Sequence, residues 1–147
     1  MTRALAIALL LAALPLSAAP PDLLDALRYQ ESRYATHAVH CNSDGSRDEG
    51  PYQLNSRYLR GFEIAYNHGH RINPFDAAES RRIASAYLDD LHRYLCILPQ
   101  DCGVTRRLAW YGAVTSYNCG LLRYLKRAPI VSLEFARRVV DMAGYAP

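Results

Sequence analysis

Long apolar runs, lysine and tryptophan are what this 147-residue chain has least of. Its one extended apolar stretch ends at Leu16 after starting at Ala4, which is short for a membrane span. No Cys follows that stretch, which excludes a lipid-modified cysteine there. Internal repeats and low-complexity segments are absent, and 50% of the residues are hydrophobic and 21% charged. Such a composition excludes a disordered tail, a collagen-like rod and a multidomain assembly, and it predicts one globular domain. Lysine occurs once, as Lys126, so 16 of the 17 basic residues are arginine. Eleven Tyr accompany one Trp and three Phe. Arginine and tyrosine favour surfaces that hydrogen-bond to, and stack on, polar, flat or ring-shaped ligands.

Residues 1–19 have the order of a secretory leader: Arg3, the apolar run, then Ser17-Ala18-Ala19. Cleavage after Ala18 or Ala19 is expected, leaving one domain over residues 20–147. No later segment reaches spanning length, so the mature chain is expected to be free of transmembrane segments and periplasmic or secreted. In an oxidising compartment, Cys41, Cys96, Cys102 and Cys119 predict two disulfides, with three possible pairings. The closeness of Cys96 and Cys102 favours a local clip around Pro99, which leaves Cys41 with Cys119. A long-loop bridge of that kind contributes about 2–4 kcal/mol. A zinc site drawing on His37, His40, His68 and His70 is the rival reading, against which stands the lack of any Cys-x-x-Cys spacing.

The mature chain reads as mainly helical with one short β-hairpin. Leu23, Leu24 and Leu27 open a helical stripe, with Asp22 near its start. Tyr58, Phe62 and Ala65 carry helical spacing within a segment from Leu54 to Tyr66, stopped by Asn67, Gly69 and Asn73-Pro74. Asp76 and Glu79 form a capping-box pattern before Ile83, Ala84, Tyr87, Leu88, Leu91, Tyr94 and Leu95. Pro99 and Gly103 punctuate the exit. Further helices are predicted from about Thr105 towards Thr115, over Leu121–Lys126 and over Ser132–Met142. Arg123, Lys126, Arg127, Arg137 and Arg138 form a basic cluster, a solvated face able to attract an anionic polymer.

Glu31 stands in line with Leu24 and Leu27 at steps of four and three, which places a carboxylate on the apolar face of the first helix. Burial there disfavours the charged form and raises the pKa, as a general acid requires. The bland alternative is a helix-ending Glu that pairs with one of the many Arg. Asp44-Gly45 is a tight-turn signal, and a hairpin there brings Asp48 back on the returning strand. A helix-borne neutral Glu facing a strand-borne ionised Asp is a layout suited to glycoside cleavage.

The segment Glu31-Ser32-x-Tyr34, followed by Asn42-Ser43-Asp44-Gly45-Ser46-x-Asp48-x-Gly50-x-x-Gln53-Leu54-Asn55-Ser56-Arg57, closely resembles the active-site segment of the lysozyme superfamily. Its spacings are similar to those of C-type lysozymes. They are also similar to those of the small secreted lytic transglycosylases associated with bacterial secretion and pilus systems. Asn73-Pro74-Phe75-Asp76, Tyr87-Leu88 and Ser116-Tyr117-Asn118-Cys119-Gly120 resemble the "NPFD … YL … AYNAG" pattern of the transglycosylases, and the likeness covers roughly residues 22 to 125.

The resemblance implies an α+β lysozyme-like fold with a glycan-binding groove and peptidoglycan as substrate. It implies that Glu31 is the acid/base, that no metal or organic cofactor is needed, and that a secretion or pilus apparatus is a conceivable partner. Ser32, Gln53, Tyr117 and Asn118 match positions around the catalytic centre, and Asp48 matches the second carboxylate of C-type lysozymes. Pro51-Tyr52 departs from the usual hydrophobic pair and sets Tyr52 as a candidate for the groove floor. Ser116 and Cys119 replace alanines, and the cysteines do not follow the C-type pattern. If Cys41 bridges Cys119, the bond would tie the hairpin to Tyr117-Asn118. Three readings follow: a lytic transglycosylase with a 1,6-anhydro product, a hydrolytic lysozyme using Glu31 and Asp48, and an inactive peptidoglycan-binding or assembly protein. The expected form is a monomer, and nothing points to nucleic acid.

Overall fold

The computed structural model describes residues 19–97 and 106–145. The leader up to Ala18, the turn at Pro99 and Gly103, and Cys102 lie outside the described residues. Helix α1 (Pro21–Ser32) starts with proline at its first position, where a missing N–H costs nothing. Leu23, Leu24, Ala26 and Leu27 are buried on one side, as the spacing predicts. The helix ends where Arg33 turns left-handed (φ 53°) and its N–H bonds to the Tyr29 carbonyl.

Three short strands follow: β1 (Val39–Cys41), β2 (Arg47–Glu49) and β3 (Leu54–Asn55), antiparallel in the order β1-β2-β3. The β1–β2 register pairs His40 with Asp48, and the β2–β3 register pairs Asp48 with Asn55. The hairpin turn at Asp44-Gly45 forms as predicted. Gly45 takes a left-handed φ of 82°, and Asp44 Oδ1 accepts from both the Ser46 N–H (2.9 Å) and the Ser46 hydroxyl (2.6 Å). The third strand corrects the sequence reading, which placed Leu54 in a helical segment. Leu54 instead pairs with Glu49, and its side chain is buried in the core.

Five more helices complete the described residues: α2 (Leu59–Tyr66), α3 (Ala77–Ile97), α4 (Arg106–Cys119), α5 (Leu121–Arg127) and α6 (Ile130–Met142). Asp76 caps α3, its Oδ1 accepting the Glu79 N–H at 2.8 Å. The Glu79 carboxylate does not return to Asp76; it accepts the Asn73 N–H at 2.9 Å and so fixes the preceding loop. Helix α4 runs further than expected and carries Tyr117 and Asn118 in its last turn.

Helix α4 is central. It packs against α3 and α6, and α1 lies against α6 and α3. Trp110, Ala113 and Val114 of α4 meet Leu23 and Leu27 of α1, Ile83 and Leu88 of α3, and Val139 and Val140 of α6 in one core. Each such Leu, Ile or Val contributes roughly 1.5–3 kcal/mol by leaving water. The result is a mainly helical α+β architecture with a small sheet, the fold class that the resemblance implies.

The expected Cys41–Cys119 bridge is not formed. Cys41 is an exposed thiol at the end of β1, and Cys119, half-buried, directs its thiol to the Gly120 carbonyl at 3.7 Å. Cys96 is likewise a free thiol, with Sγ 3.9 Å from His92 Nε2, and its expected partner Cys102 lies outside the described residues. The rival zinc reading finds no support either: no group of three or more His, Cys, Asp or Glu side chains gathers around a metal position among the described residues. None of the described helices is long and apolar enough to cross a membrane.

Candidate active site

A cleft of about 450 Å³ runs between the sheet and the ends of α1 and α4. Glu31, Asp48, Gln53, Tyr117 and Asn118 line it together. Five of the residues singled out from the sequence therefore meet in one place.

Glu31 reaches the cleft from the last turn of α1. The residue is half-buried and faces the cleft. Burial pushes its pKa from an ordinary 4.5 up to about 8, and the negative charge of Asp48 adds to the rise. At neutral pH the group is thus a carboxylic acid with a proton to give.

Asp48, in the middle of β2, is held from both sides. Asn42 Nδ2 donates to Oδ2 at 3.0 Å, and Asn55 Nδ2 donates to Oδ1 at 2.7 Å. Both amides also bond to the Ser46 hydroxyl oxygen at 3.1 Å. The strand register produces this arrangement, because Asn55 is the direct partner of Asp48 across β2–β3. The two amide donors fix the direction of the carboxylate. Asn42 and Asn55 lie within the motif, but the sequence reading gave them no role of their own. The hairpin signal alone could have placed Asn42 near Asp48, whereas Asn55 needed the third strand.

Gln53 adopts a left-handed φ of 49° and donates from Nε2 to the carbonyls of Gly50 (2.8 Å) and Ala38 (3.2 Å). Tyr117 donates its hydroxyl to the Tyr52 carbonyl at 2.8 Å and packs its ring on Tyr87, with centroids 5.5 Å apart. Burial pushes the Tyr117 phenol well above its ordinary range, and the Glu31 carboxyl contributes next. Tyr117 therefore remains a neutral hydrogen-bond donor beside the acid. Asn118 is exposed on the cleft wall.

Two of the expected substrate contacts stand behind the cleft instead. Ser32 is buried and donates its hydroxyl to the carbonyls of Pro51 (3.0 Å) and Arg28 (3.1 Å), which joins α1 to the loop after β2. Tyr52 is 1% exposed, with its hydroxyl accepting from Arg81 at 3.1 Å. It supports the groove from within the core. Tyr58, Phe62, Tyr87 and Arg123 line the other side of the cleft. The sequence reading took the three aromatics as helix-stripe residues, and only the excess of Tyr hinted at a stacking surface.

Gly50 explains how the second half of the motif supports the first. Its φ is +78°, and a Cβ there would stand 1.8 Å from the Pro74 carbonyl oxygen. The loop carrying Gln53 thus rests directly on Asn73-Pro74-Phe75-Asp76. That segment is rigid because Asn73 Oδ1 accepts the Phe75 N–H at 3.1 Å and Asp76 opens α3.

The family model of the transglycosylase SLT domain matches residues 12–130 of this sequence. The chain belongs to that family. At the level of the family, this is a transglycosylase-type domain that cleaves the glycosidic bonds of peptidoglycan. No curated protein and no solved structure matches the chain.

Proposed function

We infer that the protein is a lytic transglycosylase cutting the β-1,4 bond between N-acetylmuramic acid and N-acetylglucosamine. The single observation that carries this reading is Glu31, half-buried and lining the cleft with its pKa raised to about 8. Glu31 donates its proton to the glycosidic oxygen as the bond from that oxygen to C1 of the muramic sugar breaks. Positive charge develops at C1, and the substrate's own N-acetyl group can stabilise it. The Glu31 carboxylate then takes the proton of the sugar's O6 hydroxyl as O6 bonds to C1. The 1,6-anhydro product forms without water and Glu31 regains its proton. Gln53, Tyr117 and Asn118 orient the sugar, and Tyr58, Phe62 and Tyr87 offer faces for its rings to stack on. The chain does this work in the periplasm or outside the cell, after losing its leader.

Hydrolysis is the second reading, and the hold on Asp48 favours it. A carboxylate fixed by Asn42 and Asn55 is suited to stabilising the cation or trapping it covalently until water arrives. Digestion of purified peptidoglycan, read by mass spectrometry, separates the two. Fragments one water lighter than hydrolysis products, absent with Glu31→Gln, support the transglycosylase. Fragments of full mass make the protein a lysozyme, and no cleavage at all leaves a binding protein.

A further inference from the structure

Helix α5 lies on the outside of the fold, against α4. Leu121 packs on the core and the Tyr124 hydroxyl lies over Gly112 of α4, yet no residue of α5 is buried. Leu122, Arg123, Leu125, Lys126 and Arg127 are all exposed. Extended backbone at Ala128 and Pro129 ends the helix, and α6 opens at once with Ile130 and Val131, which are exposed too. Phe135, Ala136, Val139 and Val140 form the buried side of α6, so its core contact does not draw on that first turn. Leu122 (76%), Ile130 (74%) and Val131 (70%) are the three most exposed large apolar side chains among the described residues. Aliphatic side chains left in water at such density mark an interaction surface.

The charges around these side chains are of one sign. Leu122, Leu125 and Lys126 stand three and four positions apart and share one side of the exposed arc of α5, with Arg123 and Arg127 on the adjoining side. The sequence holds no acidic residue between Asp101 and Glu134. Arg123, Lys126 and Arg127 form no ion pair among the described residues. An anionic polymer would be satisfied by the cations alone and would give the aliphatic tips nothing to enter. A partner protein would need an acidic and apolar counterpart matched in shape. A bilayer offers anionic headgroups to the cations and acyl chains to the tips, and it demands no shape match. Helix α5 is about 10 Å long, suited to lying in the headgroup layer and not to crossing it.

We propose that α5 and the first turn of α6 dock the protein on an anionic phospholipid surface. Leu122, Leu125, Ile130 and Val131 enter the boundary between headgroups and acyl chains. Arg123, Lys126 and Arg127 stay at the level of the phosphates, where their aliphatic stems add to the buried apolar surface. Arg123 also lines the cleft, so docking holds the cleft beside the bilayer. This surface binding goes beyond the catalytic reading and does not rest on it.

The test is sedimentation with lipid vesicles, using protein exported by a bacterial host with its own leader. Wild type and variants then share one N-terminus, and a difference between them reads the patch. Vesicles of equimolar phosphatidylcholine and phosphatidylglycerol are expected to capture the protein, and vesicles of phosphatidylcholine alone to capture it at least about tenfold less. Lys126→Gln combined with Arg127→Gln is expected to weaken partition about twentyfold, and added salt to weaken it for the wild type. Ile130→Ser combined with Val131→Ser is expected to weaken it at least about tenfold and to leave the salt dependence in place. These four residues do not line the cleft, so cleavage of dissolved peptidoglycan fragments and Tm are expected to match the wild type. Ile64→Ser, at another exposed aliphatic position on α2, is the control and is expected to change nothing. Equal capture by both kinds of vesicle, capture that neither double variant weakens, or no capture would overturn the proposal. Self-association of the wild type that the Ile130 and Val131 changes abolish would overturn it too, by making a second copy the occupant. Failure of the wild type to cleave peptidoglycan would instead strike the catalytic reading alone.

Discussion

The Tyr117 hydroxyl donates to the Tyr52 carbonyl across 65 residues of chain, and this bond joins the last turn of α4 to the loop after β2. Both ends matter to the cleft. Tyr117 stands beside Glu31, and the Tyr52 backbone lies between Gly50, seated on Pro74, and Gln53, which lines the cleft. Tyr117→Phe keeps the ring against Tyr87 and removes only the donor. The carbonyl is then left without its partner, at a cost of about 1–3 kcal/mol. The expected result is a lower urea midpoint with an unchanged slope, together with slower peptidoglycan cleavage.

Gly50→Ala probes the other support of the same loop. The new Cβ would collide with a backbone oxygen, which cannot swing aside as a side chain can, and φ at that position is +78°. Alanine in a left-handed conformation is strained even in open space. The variant is expected to lose at least about 2 kcal/mol of stability. Gly45→Ala is the control, since its φ of 82° is similar but nothing lies within 4 Å of the added Cβ. A smaller loss of stability in the Gly45 variant, read by thermal denaturation, would assign the difference to the contact with Pro74.

Parts of this site were legible because they obey helical periodicity. Glu31 falls on the Leu24–Leu27 stripe, so its partial burial follows from counting alone, and Asp44-Gly45 announces its turn. The partners of Asp48 were harder to read. Strand β3 is two residues long, too short for any alternation, and the helical spacing of Tyr58, Phe62 and Ala65 masked it. Tyr52 and Ser32 lie next to cleft residues in sequence, yet the chain turns their side chains inward, and sequence proximity cannot show that. An even number of cysteines argues for pairing in an oxidising compartment but carries no geometry. Cys41 at a strand end and Cys119 at a helix end show why the parity argument was insufficient.

Asp48 discriminates between the two chemical readings. If the substrate's N-acetyl group stabilises the cation, Asp48→Asn is expected to slow cleavage by no more than about tenfold, roughly 1.4 kcal/mol in the barrier. A loss of about a thousandfold with full-mass products would instead assign Asp48 a working part in hydrolysis. The same variant carries an internal check. Asp48 helps to raise the Glu31 pKa, so its neutralisation shifts the alkaline limb of kcat/KM to lower pH. Burial is the larger cause and remains, so the limb is expected to stay well above the range of an ordinary Glu.

Glu31 places activity and stability in opposition. As the general acid it must carry its proton, so kcat/KM is expected to fall as pH rises through about 8. The stability effect has the same direction. The folded chain holds this proton up to about pH 8, while the unfolded chain releases it near 4.5. Between those values the unfolded state binds fewer protons, so stability declines with rising pH across that window. The full shift corresponds to a loss on the order of 5 kcal/mol, complete only above pH 8. Glu31→Gln keeps the shape of the side chain and cannot ionise. It is expected to abolish cleavage while raising Tm, with a gain over wild type that is small near pH 4.5 and grows towards pH 8. Thermal melts of both proteins across that range measure the effect directly. A constant difference in Tm at every pH would show that Glu31 is not buried as an acid, and the catalytic role assigned to it would lose its physical basis.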